Sequence, residues 1–207
     1  MTDITQQVAI GFLAGGQARR MGGGDKASLG IGQKTILQRQ LAATAAFETR
    51  MINANGAPER FDETGLKVIP DCVSGFLGPL VGVLSCLNEL ASHHPHITHL
   101  QSCATDAPFI PQDMTARMVA ARDAEHTSLV QPVSEGRRHP VFTIWPLHLR
   151  DDLHQALIHE GVRKIDDFTA AYSVTTVEFV SEPVDPFMNV NRPEDRQQAE
   201  QLALLLD

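Results

Sequence analysis

The segment Leu13-Ala14-Gly15-Gly16-Gln17-Ala18-Arg19-Arg20-Met21-Gly22-Gly23-Gly24-Asp25-Lys26 carries the densest chemistry in the chain. Its glycines allow the backbone to approach a ligand and to point several N–H groups into one concavity. Arg20 and Lys26 add cationic donors suited to phosphate oxygens. The segment follows the apolar run Val8 to Ala14, which reads as a buried strand, and loops at the carboxyl ends of parallel strands are where α/β sheets bind ligands. It is not a P-loop, because Lys26 is followed by Ala27 rather than Ser or Thr, and it contains no GxGxxG opening a helix.

A second candidate is Cys103-Ala104-Thr105-Asp106-Ala107-Pro108-Phe109, at the end of another apolar strand. A carboxylate at a strand end, beside a proline, is placed to ligate Mg²⁺ on a triphosphate. Asn53 closes a short strand, and Asp71 follows Pro70. A carboxylate such as Asp71 can accept from a pair of N–H donors or cap a helix. Gly78-Pro79-Leu80-Val81-Gly82 forms a further glycine-bounded loop. In Asp185-Pro186-Phe187-Met188-Asn189-Val190-Asn191, strand alternation would send Asn189 and Asn191 to one face, whereas Asn191 could also cap the last helix. Arg138-His139-Pro140 reads as a basic turn entering a strand.

The elements that must position these residues alternate. Strands are expected at Val8–Ala14, Arg50–Asn53, Leu66–Ile69, Ile97–Cys103, Ser128–Val133, Val141–Trp145 and Val174–Val180. Helical periodicity marks Ile36–Ala45, Leu80–Leu90, a helix opened by Pro111, Pro146–His159, Ile165–Ala171 and Arg192–Leu206. This order predicts an α/β fold, a mostly parallel sheet with helices on both faces, in one domain spanning 1–207. The 207 residues suit a single core.

A formal net charge of −8 argues against general nucleic-acid binding. Three scattered cysteines without a CxxC argue against a disulfide framework and fit a reducing cytoplasm. No apolar run approaches membrane-spanning length. His93, His94, His96 and His99 are interrupted by Pro95 and read as a solvated loop rather than a metal site.

LAGG-x₃-RMGG-x-DK resembles the signature of molybdopterin guanylyltransferases, within the glycosyltransferase-A-like, Rossmann-like nucleotidyltransferases. The likeness runs through nearly the whole chain. It implies a three-layer fold and transfer of GMP from GTP to molybdopterin, with pyrophosphate released. It places GTP on Leu13, Ala14, Gly15, Lys26, Asn53, Asp71 and Asp106, with Arg20, Lys26 and Asp106 catalytic and Mg²⁺ on Asp106. Gly78, Gly82, Arg138, Asn189 and Asn191 fall to the GTP loop or the molybdopterin side. Thr105 stands where such proteins usually carry cysteine. The resemblance also implies transient contact with molybdenum-insertion and molybdoenzyme-maturation proteins. The alternatives are a CTP-dependent molybdopterin cytidylyltransferase, a sugar-phosphate nucleotidyltransferase, or a noncatalytic nucleotide- or cofactor-binding chaperone.

Overall fold

A computed structural model describes residues 4–15, 26–75, 78–126 and 128–206. Arg20, together with Arg19 and the glycines Gly16 and Gly22 to Gly24, lies outside the described residues.

The strands are β1 (Val8–Leu13), β2 (Gly30–Ile31), β3 (Lys34–Thr35), β4 (Arg50–Asn53), β5 (Lys67–Ile69), β6 (His99–Ala104), β7 (Leu129–Ser134), β8 (Arg137–Arg138), β9 (Ile144–Pro146) and β10 (Val174–Glu178). The helices are α1 (Ile4–Gln7), α2 (Ile36–Ala43), α3 (Pro79–His93), α4 (Met114–Glu125), α5 (Arg150–Ile158), α6 (Ile165–Thr169) and α7 (Pro193–Leu206). The main sheet has the order β10-β7-β9-β6-β1-β4-β5, with β8 pairing β7. All of its pairings are parallel except those of β9 and β8.

Alternation along the central strands separates two apolar layers. Val8, Ile10, Phe12, Ile52 and Cys103 face one side, where Leu37 of α2 and Met114, Met118 and Val119 of α4 pack. Ala9, Met51 and Leu100 face the other, against Leu80, Val83, Leu84 and Leu87 of α3 and Leu153 and Leu157 of α5. The side chains leave opposite faces because successive residues of a strand alternate. The expected three layers are therefore present.

Three segments differ from expectation. The helix expected to open at Pro111 begins only at Met114, with Asp113 as its N-cap. The expected strand Val141–Trp145 begins only at Ile144, because Pro140 opens a 3-10 turn over Pro140–Phe142; β9 then runs antiparallel to β6. The expected helix from Pro146 begins at Arg150, after another 3-10 turn at Leu147–Leu149. Pro146 itself belongs to β9.

A smaller structure sits beside the sheet. β2 and β3 form a hairpin whose turn includes Gly32 at φ 63°, a conformation glycine adopts at little cost. Ile31 of the hairpin and Ile36 of α2 pack with Val190 and with Ala199 and Ala203 of α7. The Thr35 hydroxyl accepts from the Gln38 N–H, and the Gln38 side chain accepts from the Thr35 N–H. This reciprocal cap fixes where α2 starts. The hairpin follows the 3-10 turn that Lys26 opens, and Val190 directly precedes Asn191. Their shared apolar cluster thus brings two distant parts of the chain together.

Candidate active site

The carboxyl ends of four parallel strands line up across the sheet. Leu13 registers with Asn53 on one side and with Ala104 on the other, and Asn53 registers with Ile69. The strand that ends at Leu13, before Ala14 and Gly15, the strand that Asn53 closes, and the strand before Asp71 all end at this edge.

On the β4–β5 side, Asn53 lies beneath Asp71. Asn53 is 2% exposed, and its amide nitrogen donates to the Ile69 carbonyl (3.1 Å) and to Asp71 Oδ1 (2.9 Å). Asn55 Nδ2 donates to Asp71 Oδ2 (2.7 Å), and the Asp71 N–H donates to Asn55 Oδ1 (2.9 Å). Two amides therefore hold the Asp71 carboxylate, leaving a lone pair on each oxygen for a further donor. Asp71 does not cap α3: the N-cap is Gly78, with φ 72° and no side-chain cap.

Gly82 explains how α3 comes so close. A Cβ there would collide with Asn53 Oδ1 and stand 3.0 Å from Asn53 Cγ. At Gly78 a Cβ would meet the Arg163 carbonyl oxygen at 3.1 Å. The segment expected as a glycine-bounded loop is the first turn of α3, because Pro79 suits a helix N-terminus, and its two glycines permit close approach, Gly82 to Asn53 and Gly78 to the turn before α6.

On the β6 side stands the charged centre. Lys26 Nζ lies 3.6 Å from Asp106 Oδ2 and also donates to Asn191 Oδ1. The Asn189 amide satisfies its neighbours when its nitrogen donates to Asp106 Oδ1 (3.2 Å) and to the Phe187 carbonyl (3.3 Å). The Val190 N–H donates to the Asp106 carbonyl (2.8 Å). Residues 189–191 form no strand, so the expected strand alternation does not hold there, but Asn189 and Asn191 both reach the Lys26–Asp106 pair. Asn191 does not cap α7 with its side chain. Asp195 instead accepts from the Asn191 and Arg192 N–H groups (2.9 and 2.8 Å).

Burial raises the Asp106 pKa above its ordinary value, against the opposing charge and hydrogen bond of Lys26. Desolvation wins over pairing here, so the carboxylate is short of positive charge. A hard cation on this oxygen would supply it. The donor set, one carboxylate beside a lysine and two asparagine amides, fits a cation held jointly with a ligand. One carboxylate plus phosphate oxygens and water is the usual arrangement for Mg²⁺.

Two further residues position the site: Gln40, which a reading of motifs misses, and Thr105, which lies inside one. Gln40 of α2 is fully buried, and its amide nitrogen donates to the carbonyls of Ala104 and Ala107 (2.7 and 2.8 Å), gripping the turn that presents Asp106. Its only signal in the sequence is a glutamine on the apolar face of a helix. Thr105 donates to the Leu13 carbonyl (3.3 Å), tying β6 to the loop after β1. Leu13, Ala14 and Gly15 lie where expected, at the end of β1. Arg138 does not join the cluster. It is exposed on β8, and its guanidinium pairs with Asp166 at 3.6 Å.

The MobA-like NTP transferase domain matches residues 11–174, which makes this chain a nucleotidyltransferase of that class. The chain belongs to the molybdenum cofactor guanylyltransferase family. The molybdenum cofactor guanylyltransferase of a Bradyrhizobium species is 47% identical across 100% of this chain and 99% of its own length. The fold is similar to that of molybdopterin-guanine dinucleotide biosynthesis protein A from Archaeoglobus fulgidus (TM-score 0.73, 19% identity, 95% of this chain and 99% of that one). It is also similar to a Mycobacterium tuberculosis protein solved as a manganese complex (TM-score 0.67, 17% identity, 94% and 98%).

Proposed function

We propose that this chain transfers GMP from GTP to the terminal phosphate of molybdopterin, releasing pyrophosphate. The observation that carries the reading is the convergence of Lys26 and Asn191, 165 positions apart, on Asp106 at the carboxyl edge of the sheet. The full-length relatives' name supports GTP as donor over CTP.

In this reading an oxygen of the acceptor phosphate attacks the α-phosphorus of GTP. A new P–O bond forms, the bond from the α-phosphorus to the bridging oxygen breaks, and its electron pair leaves with pyrophosphate. The nucleophile is already anionic, so no general base is needed. The obstacle is bringing two anions together, and positioning with charge neutralisation overcomes it. Lys26 meets the triphosphate, and Arg20 adds a second cation. Leu13, Ala14 and Gly15 present backbone to the nucleotide. Asn53 braces Asp71, which accepts from guanine or ribose, and Gly78 and Gly82 let α3 close beside them. Asp106, with Asn189, would hold a divalent ion, Mg²⁺ in this proposal. That ion, when bound, neutralises charge on the triphosphate. Arg138 serves the acceptor side. One domain over 1–207, work in the cytoplasm and transient contact with molybdenum-insertion and molybdoenzyme-maturation proteins belong to the same reading.

The test is incubation with GTP, Mg²⁺ and molybdopterin. Stoichiometric pyrophosphate and guanine dinucleotide support the proposal; bound nucleotide without either product contradicts it.

A further inference from the structure

Ser134, His139 and Asp185 form a hydrogen-bonded chain that the transfer reaction does not use directly. Ser134 ends β7 and is 1% exposed. Its hydroxyl donates to Asp185 Oδ1 (2.7 Å) and also meets His139 Nε2 at 2.7 Å. A hydroxyl has one hydrogen, and an ionised carboxylate can only accept. The hydrogen therefore goes to Asp185, and His139 Nε2–H must be the donor to Ser134. This order is wrong for a nucleophilic triad, in which imidazole would stand between serine and carboxylate. The serine is a link, not an attacking group.

What the link holds is the strap 185–191. Asp185 Oδ1 also accepts from the Phe187 N–H (3.0 Å), and the Met188 N–H donates to the Asp185 carbonyl (3.1 Å). Phe187 is buried against His139 (ring centroids 4.6 Å apart), Phe142 (5.1 Å) and Phe179 (5.4 Å). The far end is fixed by the Val190 N–H on the Asp106 carbonyl. Between the two anchors lies Asn189, and just beyond the second lies Asn191. Apolar packing of Phe187 draws the strap inward but is not directional, whereas a hydrogen bond is. The serine–aspartate contact is the directional anchor at this end.

We propose that Ser134 and Asp185 are positioning residues of the transfer site. Their hydrogen bond sets the strap so that Asn189 and Asn191 meet Asp106 and Lys26. This rests on the reading that Asp106 and the strap hold a cation on GTP.

The test compares two buried serines. Ser134→Ala removes the link. Ser102→Ala removes a serine that is also buried, bonded to Trp145 Nε1 (2.8 Å) and the Val141 carbonyl (2.6 Å), and whose hydroxyl does not bond the strap. Mn²⁺ affinity of the GTP-loaded protein is measured by electron paramagnetic resonance, beside steady-state transfer and melting temperature. Ser134→Ala is expected to weaken Mn²⁺ binding about tenfold, the low end for losing an outer hydrogen bond behind a metal ligand. It should lower kcat by a similar factor while leaving KM for GTP within about threefold. Ser102→Ala is expected to lower the melting temperature but to leave Mn²⁺ affinity and kcat within about twofold. Asp185→Asn, which keeps the accepting oxygen, should retain most of the Mn²⁺ affinity that Asp185→Ala loses. Wild-type Mn²⁺ affinity in Ser134→Ala overturns the proposal, as does an equal loss in Ser102→Ala. Should Ser134→Ala fail to fold, the contrast between Asp185→Asn and Asp185→Ala decides, and equal losses overturn it. A wild type that binds Mn²⁺ with GTP but makes no dinucleotide sinks the functional reading alone. One that binds no Mn²⁺ with GTP sinks both.

Discussion

Lys26 Nζ stands 3.6 Å from Asp106 Oδ2, each side chain about one-fifth exposed (23% and 22%), and the lysine is shared with Asn191. The pair joins the loop after the first strand to the end of the sixth. Lys26→Ala removes the cation that meets phosphate in the proposed reaction. Losing a charge-assisted hydrogen bond costs roughly 1.5–3 kcal/mol, or about ten- to a hundredfold in kcat/KM for transfer. Because Lys26 is half-buried at the edge, the fold should persist. A correctly folded variant with wild-type kcat/KM would remove Lys26 from the reaction.

Asp106 yields a prediction in pH. Burial raises its pKa in spite of Lys26. A carboxyl group whose folded pKa lies above its unfolded value binds the proton more tightly when folded. Stability from that group is therefore present at low pH and is lost as pH rises through the raised value. Asp106→Asn keeps the shape and removes the titration. With a chelator present and no nucleotide, the variant is expected to melt above wild type at pH 7. The gap should close as pH falls towards about 4, the ordinary carboxylate range. The same variant should lose most of the stabilisation that GTP with Mg²⁺ confers on wild type, which thermal melts will measure. A lower melting temperature for the variant at pH 7, or a gap that ignores pH, would contradict the account.

Gly82 separates two effects of opposite sign. Alanine is better than glycine inside a helix by about 1 kcal/mol. A Cβ at position 82, however, would strike Asn53 Oδ1, and Asn53 is buried and bonded to Ile69 and Asp71. The clash should win. Gly82→Ala is expected to lower the melting temperature and to weaken GTP binding severalfold, by releasing Asn53 from Asp71. In an Asn53→Ala background the same change should cost much less, since contacting residues are not additive. A stabilised Gly82→Ala protein that binds GTP normally would refute the brace.

Much of this site was legible because its residues are chemically unusual for their positions. Arginine and lysine among glycines, an aspartate at a strand end and asparagines two apart all stand out locally. Their meeting was not legible. It depends on Ile31, Ile36, Val190, Ala199 and Ala203 packing together, and apolar residues do not announce their partners. Gln40 and Ser134 were missed for a related reason: each acts through contacts 51 to 67 positions away. The hairpin β2–β3 is too short for a period-2 pattern. Pro140 and Pro146 each displaced an element boundary that hydropathy alone had placed too early. The parallel core, by contrast, follows directly from alternating apolar strands and amphipathic helices.

The central claim is the guanylyl choice, and competition tests it most directly. GTP, CTP and ATP at equal concentration are offered with Mg²⁺ and molybdopterin, and the dinucleotide products are separated and quantified. Guanine presents an adjacent ring N–H and amino group that cytosine and adenine lack. A site built for that pair leaves buried polar groups unpaired with either competitor, at roughly 1–3 kcal/mol per group. The account predicts guanine dinucleotide in at least about tenfold excess over either rival product. Cytosine dinucleotide as the main product would contradict the guanylyl assignment while leaving a nucleotidyltransferase in place.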